Sequence, residues 1–439
     1  MRDTPRRNCY SSGMKITGFI ATLLPIVLGS FGCAAQHSSR VQLVEESGRF
    51  TLMADGQPFT IKGVGGVDEL EMLAQYGGNT IRTWDAEGID ELLDQAHAQG
   101  IRVVAGIWLE HERHGLDYDD PKQRQEQLDR VEMLVREHRD HPALLAWGIG
   151  NELELGGDFD TALRQINDAA AIVKQLDPHH PRMAVIAEIG DDKAIRIQKE
   201  CPDIDFIGIN SYGGLGSIKD RLNEQGYTGA WAATEWGVLG HWESGNTPWG
   251  APYEPSSGAK ADFLRDVYTQ AIEPNLGKTC LGSFAFLWGH KQEKTATWYG
   301  LLLPSGEKTE RVDVLSTMWT GNVPEQLAPR VERIEMLKGN PMGLRVAEEI
   351  SLRVLAHDPD NDELDIEWSL IPESNAQSMG GDFEDSIQPL PVEFKTDGQD
   401  ATIVIPNRTG AFRIFVTVRD GQGGAGTANL PIYIVENDA

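Results

Sequence analysis

Two glutamates in this chain stand in settings where a carboxyl group could do chemistry. Glu152 closes the stretch "GIGNE", directly after the apolar run Leu144–Trp147, and Glu235 sits in "ATEWG", 83 positions later. A run that apolar suits a strand buried on both faces, so an amide and an acid at its end stand at the rim of a core. Other strand-like segments end in the same way: Arg82 and Asp85, Trp108 and Glu110, Asn210 and Tyr212, Trp288 and His290. Two carboxylates of this kind can divide the work of bond cleavage, one giving a proton while the other attacks, provided the fold brings them together and their surroundings separate their proton affinities.

The elements that would position them follow from hydrophobic pattern. After a hairpin turning at Asp55-Gly56, apolar strands are expected at 59–63, 79–85, 101–109, 144–147, 182–189, 205–212, 229–237 and 281–289. Helical patterns at 69–76, 89–99, 121–139, 159–176, 192–200, 216–225, 259–272 and 308–318 follow them in turn. Eight continuous strands alternating with helices over residues 41–321 predict an α/β fold, a closed (β/α)8 barrel. An open doubly wound sheet would want a glycine-rich phosphate loop after the first strand, and "KGVGGVDE" does not match it. In such a barrel the C-terminal strand ends share one mouth, which is where the residues above would meet. From 330 to 439 apolar and polar residues alternate with period two between Asp/Gly/Asn turns, which predicts an immunoglobulin-like β-sandwich serving as an accessory or spacer domain.

Composition narrows the partners. The 439 residues carry 39 Lys+Arg against 67 Asp+Glu, a net charge of -28, with 40% hydrophobic and 8% aromatic residues. This is a globular composition whose field repels phosphate backbones, so a nucleic-acid partner is not expected. Residues 1–33 read as a signal segment: Met14-Lys15 precedes the short apolar stretch "ITGFIATLLPIVLGSFGCAAQ", and Cys33 after small residues fits lipoprotein processing. An exported, periplasmic or cell-surface protein is expected, touching a membrane only through a lipid on Cys33. Export would permit a disulfide between Cys201 and Cys280, and a buried free thiol is the other reading.

Ends of strands four and seven lie across a barrel mouth, where carboxyl groups about 5 Å apart are feasible, a spacing suited to retaining cleavage of a glycosidic bond. Glu152 would be the acid/base and Glu235 the nucleophile, with Arg82 and the Tyr212 hydroxyl holding Glu235 ionised. Asn151 would meet the sugar 2-OH, and Trp108, Trp236 and Trp288 would offer aromatic faces to sugar rings, Trp288 as the floor. Together "NTIRTWD", "GIGNE", "INSYGG", "ATEWG" and "FAFLWG" resemble the strand ends of glycoside hydrolase clan A. The resemblance covers about residues 55–320, is nearest to family 2 catalytic domains and echoes the β-1,3-glucan-active families 17 and 72. It implies the same roles for Glu152, Glu235, Asn151, Arg82 and Tyr212, and an activity on β-linked poly- or oligosaccharide, a β-glucan included, by hydrolysis or transglycosylation. It departs from family 2 in having no jelly-roll domain before the barrel. The rival reading is a non-catalytic surface glycan-binding lipoprotein, which would have no need of both glutamates.

Four further features are read from the residues. The loop "HWESGNTPWGAPYEPSSGAKA" (241–261) offers Trp242 and Trp249 as platforms for sugar units. His111 and His114 in "LEHERHGLDYDD" are expected as solvated loop residues without metal. Asp85 is either a sugar contact or an ion-pair partner of Arg82, and Glu154 a supporting residue. "HDPDNDELD" (357–365) resembles acidic loops that bind Ca2+, but an Asp/Asn turn needs no ion, and no metal or organic cofactor is expected.

Overall fold

The computed structural model describes residues 39–190, 192–376 and 381–437. The stretch expected as a signal segment, with Cys33, lies outside the described residues, and no described helix is long and apolar enough to cross a membrane.

Eight parallel strands close into a barrel: β4 (Ile61–Gly65), β5 (Thr80–Arg82), β6 (Arg102–Ile107), β7 (Leu144–Ile149), β8 (Arg182–Ala187), β9 (Phe206–Asn210), β10 (Ala230–Trp236) and β11 (Cys280–Phe286), with β11 pairing back onto β4. The hairpin expected before them joins the last two strands of a three-stranded antiparallel sheet, β1 (Val41–Glu46), β2 (Arg49–Ala54) and β3 (Gln57–Phe59). Phe50 and Leu52 of this sheet join Val104, Leu145, Met183, Phe206 and Phe284 in one buried cluster. That cluster fills the end of the barrel away from the strand C-termini and leaves the opposite end as the mouth. The outward-facing strand residues pack under helices α1 (Leu70–Gln75), α2 (Asp90–Ala98), α3 (Pro121–His138), α4 (Phe159–Leu176), α5 (Lys193–Glu200), α6 (Ile218–Glu224), α7 (Ser257–Val267) and α8 (Glu310–Thr320). Local signals explain the starts of the longer helices. Asp120 caps α3 with Pro121 at its first position, while Asp158 and Ser256 cap α4 and α7 by accepting backbone N–H groups.

The C-terminal part is a sandwich of two four-stranded sheets. One contains β12 (Arg330–Lys338), β14 (Glu349–His357), β17 (Asp400–Val404) and β16 (Lys395–Asp397). The other contains β13 (Leu344–Arg345), β19 (Ala425–Val435), β18 (Gly410–Arg419) and β15 (Asp365–Pro372). Pairing is antiparallel except between β13 and β19, which run parallel. Alternating Ile, Leu and Val of both sheets, with Trp368, make its core.

The sandwich is docked by polar contacts that the long loop after β10 supplies. Glu254 is enclosed with Lys260, accepts from Thr295 and Thr297 hydroxyls, and takes the Asn429 amide at 2.6 Å. Arg413 donates to the Pro252 carbonyl at 2.6 Å, and Trp249 packs on Tyr433. Most of the loop expected as a substrate platform is therefore the seat of the second domain, and of its two tryptophans only Trp242 reaches the mouth. Cys201 and Cys280 are both buried and free, each thiol pushed up to about 12 by burial.

Candidate active site

Glu152 and Glu235 open onto one cavity of about 310 Å³ at the barrel mouth. Trp84, Trp108, Asn151, Tyr212, Trp242 and Phe286 form its nearer walls. The strand carrying Glu152 stops for a local reason. Gly150 adopts φ 65, and a Cβ there would stand 2.8 Å from the Leu153 side chain. Glu152 follows with φ 53, an uncommon state for a residue with a side chain, secured by its N–H donating to the Val185 carbonyl at 3.0 Å. The turn from strand to left-handed backbone sends Asn151 and Glu152 to the cavity.

The two carboxyl groups have unlike surroundings. Glu235 accepts from the Arg82 guanidinium at 3.1 Å, the Trp84 indole N–H at 3.0 Å and the Tyr212 hydroxyl at 3.0 Å. Three donors, one of them cationic, are the coordination of an ionised carboxylate. Tyr212 keeps its proton for this bond, because burial and the Glu235 charge hold its pKa well above the usual phenol value. Among the described residues Glu152 has a single side-chain donor, the Asn210 amide at 2.7 Å, and no cation pairs with it. Burial first, and the nearby Glu235 charge second, raise its pKa well above the carboxylate range, so it holds a proton at neutral pH.

An amide bridge links the halves. The Asn151 side-chain oxygen Oδ1 accepts from Arg82 at 2.6 Å and from Asn210 at 3.2 Å, so the group it turns to the cavity is its NH2. Asn210 is itself fixed by the Thr234 hydroxyl at 2.7 Å.

Of the expected site residues, Glu152, Glu235, Asn151, Tyr212 and Trp108 line the cavity, and Arg82 lies beneath it, almost wholly buried. Trp236 does not line it. Successive residues of a strand face opposite ways, so with Glu235 directed into the mouth Trp236 is directed into the helical layer, where it stacks on Tyr268. Trp288 is not the floor either. Strand β11 ends at Phe286, and beyond it the chain turns Trp288 down to donate to the Asp68 carbonyl at 2.5 Å. Phe286 takes the place in the wall.

Asp85 pairs with Arg130 at 2.5 Å and not with Arg82. Glu154 is a supporting residue, bound to Lys193 and the Ala187 N–H. His111 is buried and not solvated; it packs against Trp108 and His114, and burial with the neighbouring Arg113 lowers its pKa to about 4.

Three residues escaped sequence reasoning. Trp84 lies past a strand only three residues long, and its backbone fits because Gly106 has no Cβ to strike it. Asn210 was visible as a strand end but not as the partner of Glu152. Asp382 comes from the sandwich: with Gly381 it forms the outer wall, held by Arg113 at 3.3 Å and by Lys291 donating to the Gly381 carbonyl at 2.9 Å. The second domain is thus part of the cavity and not only a spacer.

Comparison with known proteins bears on the barrel that carries this site. Residues 67–231 match the model of the TIM barrel domain of glycosyl hydrolases family 2. A β-glucuronidase of Bacteroides fragilis is 27% identical over 139 residues, 25% of this chain and 20% of that protein. A β-galactosidase of an Arthrobacter species is 30% identical over 98 residues, 21% of this chain and 10% of that protein. The match therefore spans only a minor part of the length of these curated relatives. In fold, the chain is similar to the GH2 β-galacturonidase of Eisenbergiella tayi, with a TM-score of 0.50 at 17% identity over 65% of this chain and 54% of that one. These matches bear on family 2 and lend nothing to the echoes of families 17 and 72. The central domain is a (β/α)8 barrel, and its residues 67–231 are similar to the TIM barrel domain of family 2.

Proposed function

We propose that the protein is a retaining β-glycoside hydrolase working by double displacement. Glu152 gives its proton to the glycosidic oxygen while a Glu235 oxygen bonds to the anomeric carbon and the aglycone leaves as an alcohol. Water then enters, Glu152 takes one of its protons, and the new C–O bond displaces Glu235, restoring both groups. A second sugar hydroxyl in place of that water would make the same site a transglycosylase. Asn151 directs an N–H to the 2-OH beside the reacting carbon, and Trp84, Trp108 and Trp242 offer faces to sugar rings.

The observation that carries this reading is one cavity shared by a protonated, cation-free glutamate and a glutamate bound by three donors. A glycan-binding surface needs an aromatic wall but no such division of proton affinity. The matched relatives named as β-glucuronidase and β-galactosidase support a β-linked substrate, and a β-glucan is the first polymer to try.

The test is hydrolysis over a panel of aryl β-glycosides and of β-1,3-, β-1,4- and β-1,6-linked oligosaccharides, with the first product's anomer read by proton NMR. A β product from the wild type and none from Glu235→Gln is expected. Equal slow release from both would favour the binding protein, and an α product would contradict double displacement.

A further inference from the structure

The loop between β14 and β15, residues 358–364, gathers three aspartates at the joint between barrel and sandwich. Carboxylate oxygens of Asp358, Asp360 and Asp362, one from each, lie within 4.8 Å of one another. Each has one oxygen already engaged. Asp358 Oδ1 accepts the N–H groups of Asp360 and Asp362 at 2.8 and 3.1 Å, Asp360 Oδ2 accepts the Leu327 N–H at 2.7 Å, and Asp362 Oδ2 accepts the Gln326 amide at 3.0 Å.

The other Asp358 oxygen is the anomaly. Asp358 is only 8% exposed, and its Oδ2 is buried with no hydrogen-bond partner among the described residues. Among the described residues no lysine, arginine or histidine forms an ion pair with any of the three, and the Lys308 ammonium at the same joint is engaged by Asp313. A buried carboxylate oxygen left without a donor, on a group beside two other carboxylates, is unfavourable unless a cation compensates it.

We propose that these aspartates bind a Ca2+ ion that ties the sandwich loop to the interdomain linker. The donors are hard oxygens, the set that calcium takes, and bonds of about 2.4 Å to a central ion span oxygens this far apart. Mg2+ asks for bonds of about 2.0–2.1 Å in a near-ideal octahedron, which a loop sharing its oxygens with backbone donors does not offer. Since Leu327 and Gln326 belong to the linker, the ion would fix the geometry in which the sandwich wall meets the cavity. Three carboxylates completed by water suggest a dissociation constant of about 10⁻⁵ to 10⁻³ M. The proposal stands apart from the glycosidase reading, and its test does not use catalysis.

The full chain, stripped with EDTA and desalted, is followed by thermal unfolding and by isothermal titration with CaCl2 and, separately, MgCl2. One Ca2+ per chain and a rise in Tm of about 3 to 8 °C at saturating calcium are expected, with a smaller rise in magnesium. Asp358→Asn abolishes the calcium response, and without calcium it unfolds no lower than the stripped wild type, because it removes the unpaired charge. Should Asp358→Asn fail to fold, Asp362→Asn, at a partly exposed position, carries the same loss of response. No calcium response in the wild type, an equal response to magnesium, or a full response kept by both variants would overturn the site.

Discussion

Glu152 and Glu235 face one cavity from strands across the barrel mouth, and what surrounds each differs in kind. The β10 side is rich in donors: Arg82, Trp84 and Tyr212 all end on the Glu235 oxygens. The β7 side gives Glu152 one amide and no cation, in a place just as buried. Identical side chains thus receive opposite proton roles from their neighbours alone. Because Asn151 and Asn210 join the two sides through shared hydrogen bonds, a change on one side is expected to be felt on the other.

The contrast predicts an order of losses. Glu235→Gln removes the attacking oxygen and should lower kcat by roughly 10⁴- to 10⁶-fold on every substrate, measured as initial rates on aryl glycosides. Glu152→Gln should cost roughly 10²- to 10⁴-fold on substrates with alkyl or sugar leaving groups. It should cost much less in the first step with nitrophenyl glycosides, which need no proton to depart. A variant pair with equal losses on both substrate types would break the division of roles.

Next in size, Tyr212→Phe and Trp84→Phe each remove one donor to a charged group, worth about 1.5–3 kcal/mol. Each should therefore lower kcat/KM by about 10- to 150-fold, with thermal unfolding close to wild type. Trp236→Phe is the control: it lies in the helical layer and should lower Tm while sparing kcat.

The pH dependence follows from the raised pKa of Glu152. The acid works protonated, so kcat/KM should fall on the alkaline side as Glu152 ionises, and Glu152→Gln should lack that limb on nitrophenyl substrates. The stability effect is smaller and has a definite sign. A carboxyl whose folded pKa lies above its unfolded value binds its proton more tightly when folded. Its contribution is complete below the ordinary carboxylate range and is lost as pH rises through the raised value. Glu152→Gln should therefore flatten the decline of Tm toward alkaline pH.

Much of this was legible in the chain. Runs such as Leu144–Ile149 and Cys280–Phe286 are apolar throughout because a parallel barrel strand is covered on both faces, and that pattern exposes the fold. Glu152 and Glu235 stood out because polar residues at such strand ends have one destination. The errors share a physical origin. Nearness to the mouth along the chain points to Trp236 and Trp288, whereas strand parity and the end of β11 decide which way a side chain turns. Trp84 follows a strand of three residues, too short for a pattern to show its direction. Asp382 reaches the cavity only through the docking of a second domain, and no local periodicity encodes that contact. The vacant oxygen of Asp358 is likewise a property of packing, invisible in "HDPDNDELD" as a string.

Trapping of the glycosyl intermediate tests the central claim most directly. The wild type is incubated with 2-deoxy-2-fluoro-β-glycosyl fluorides of gluco, galacto and manno configuration, and intact mass and peptide mapping are read. The account predicts one sugar per chain, esterified to Glu235, with Glu152→Gln labelled at the same residue. A label on Glu152, or turnover that yields the α anomer without any label, would contradict it.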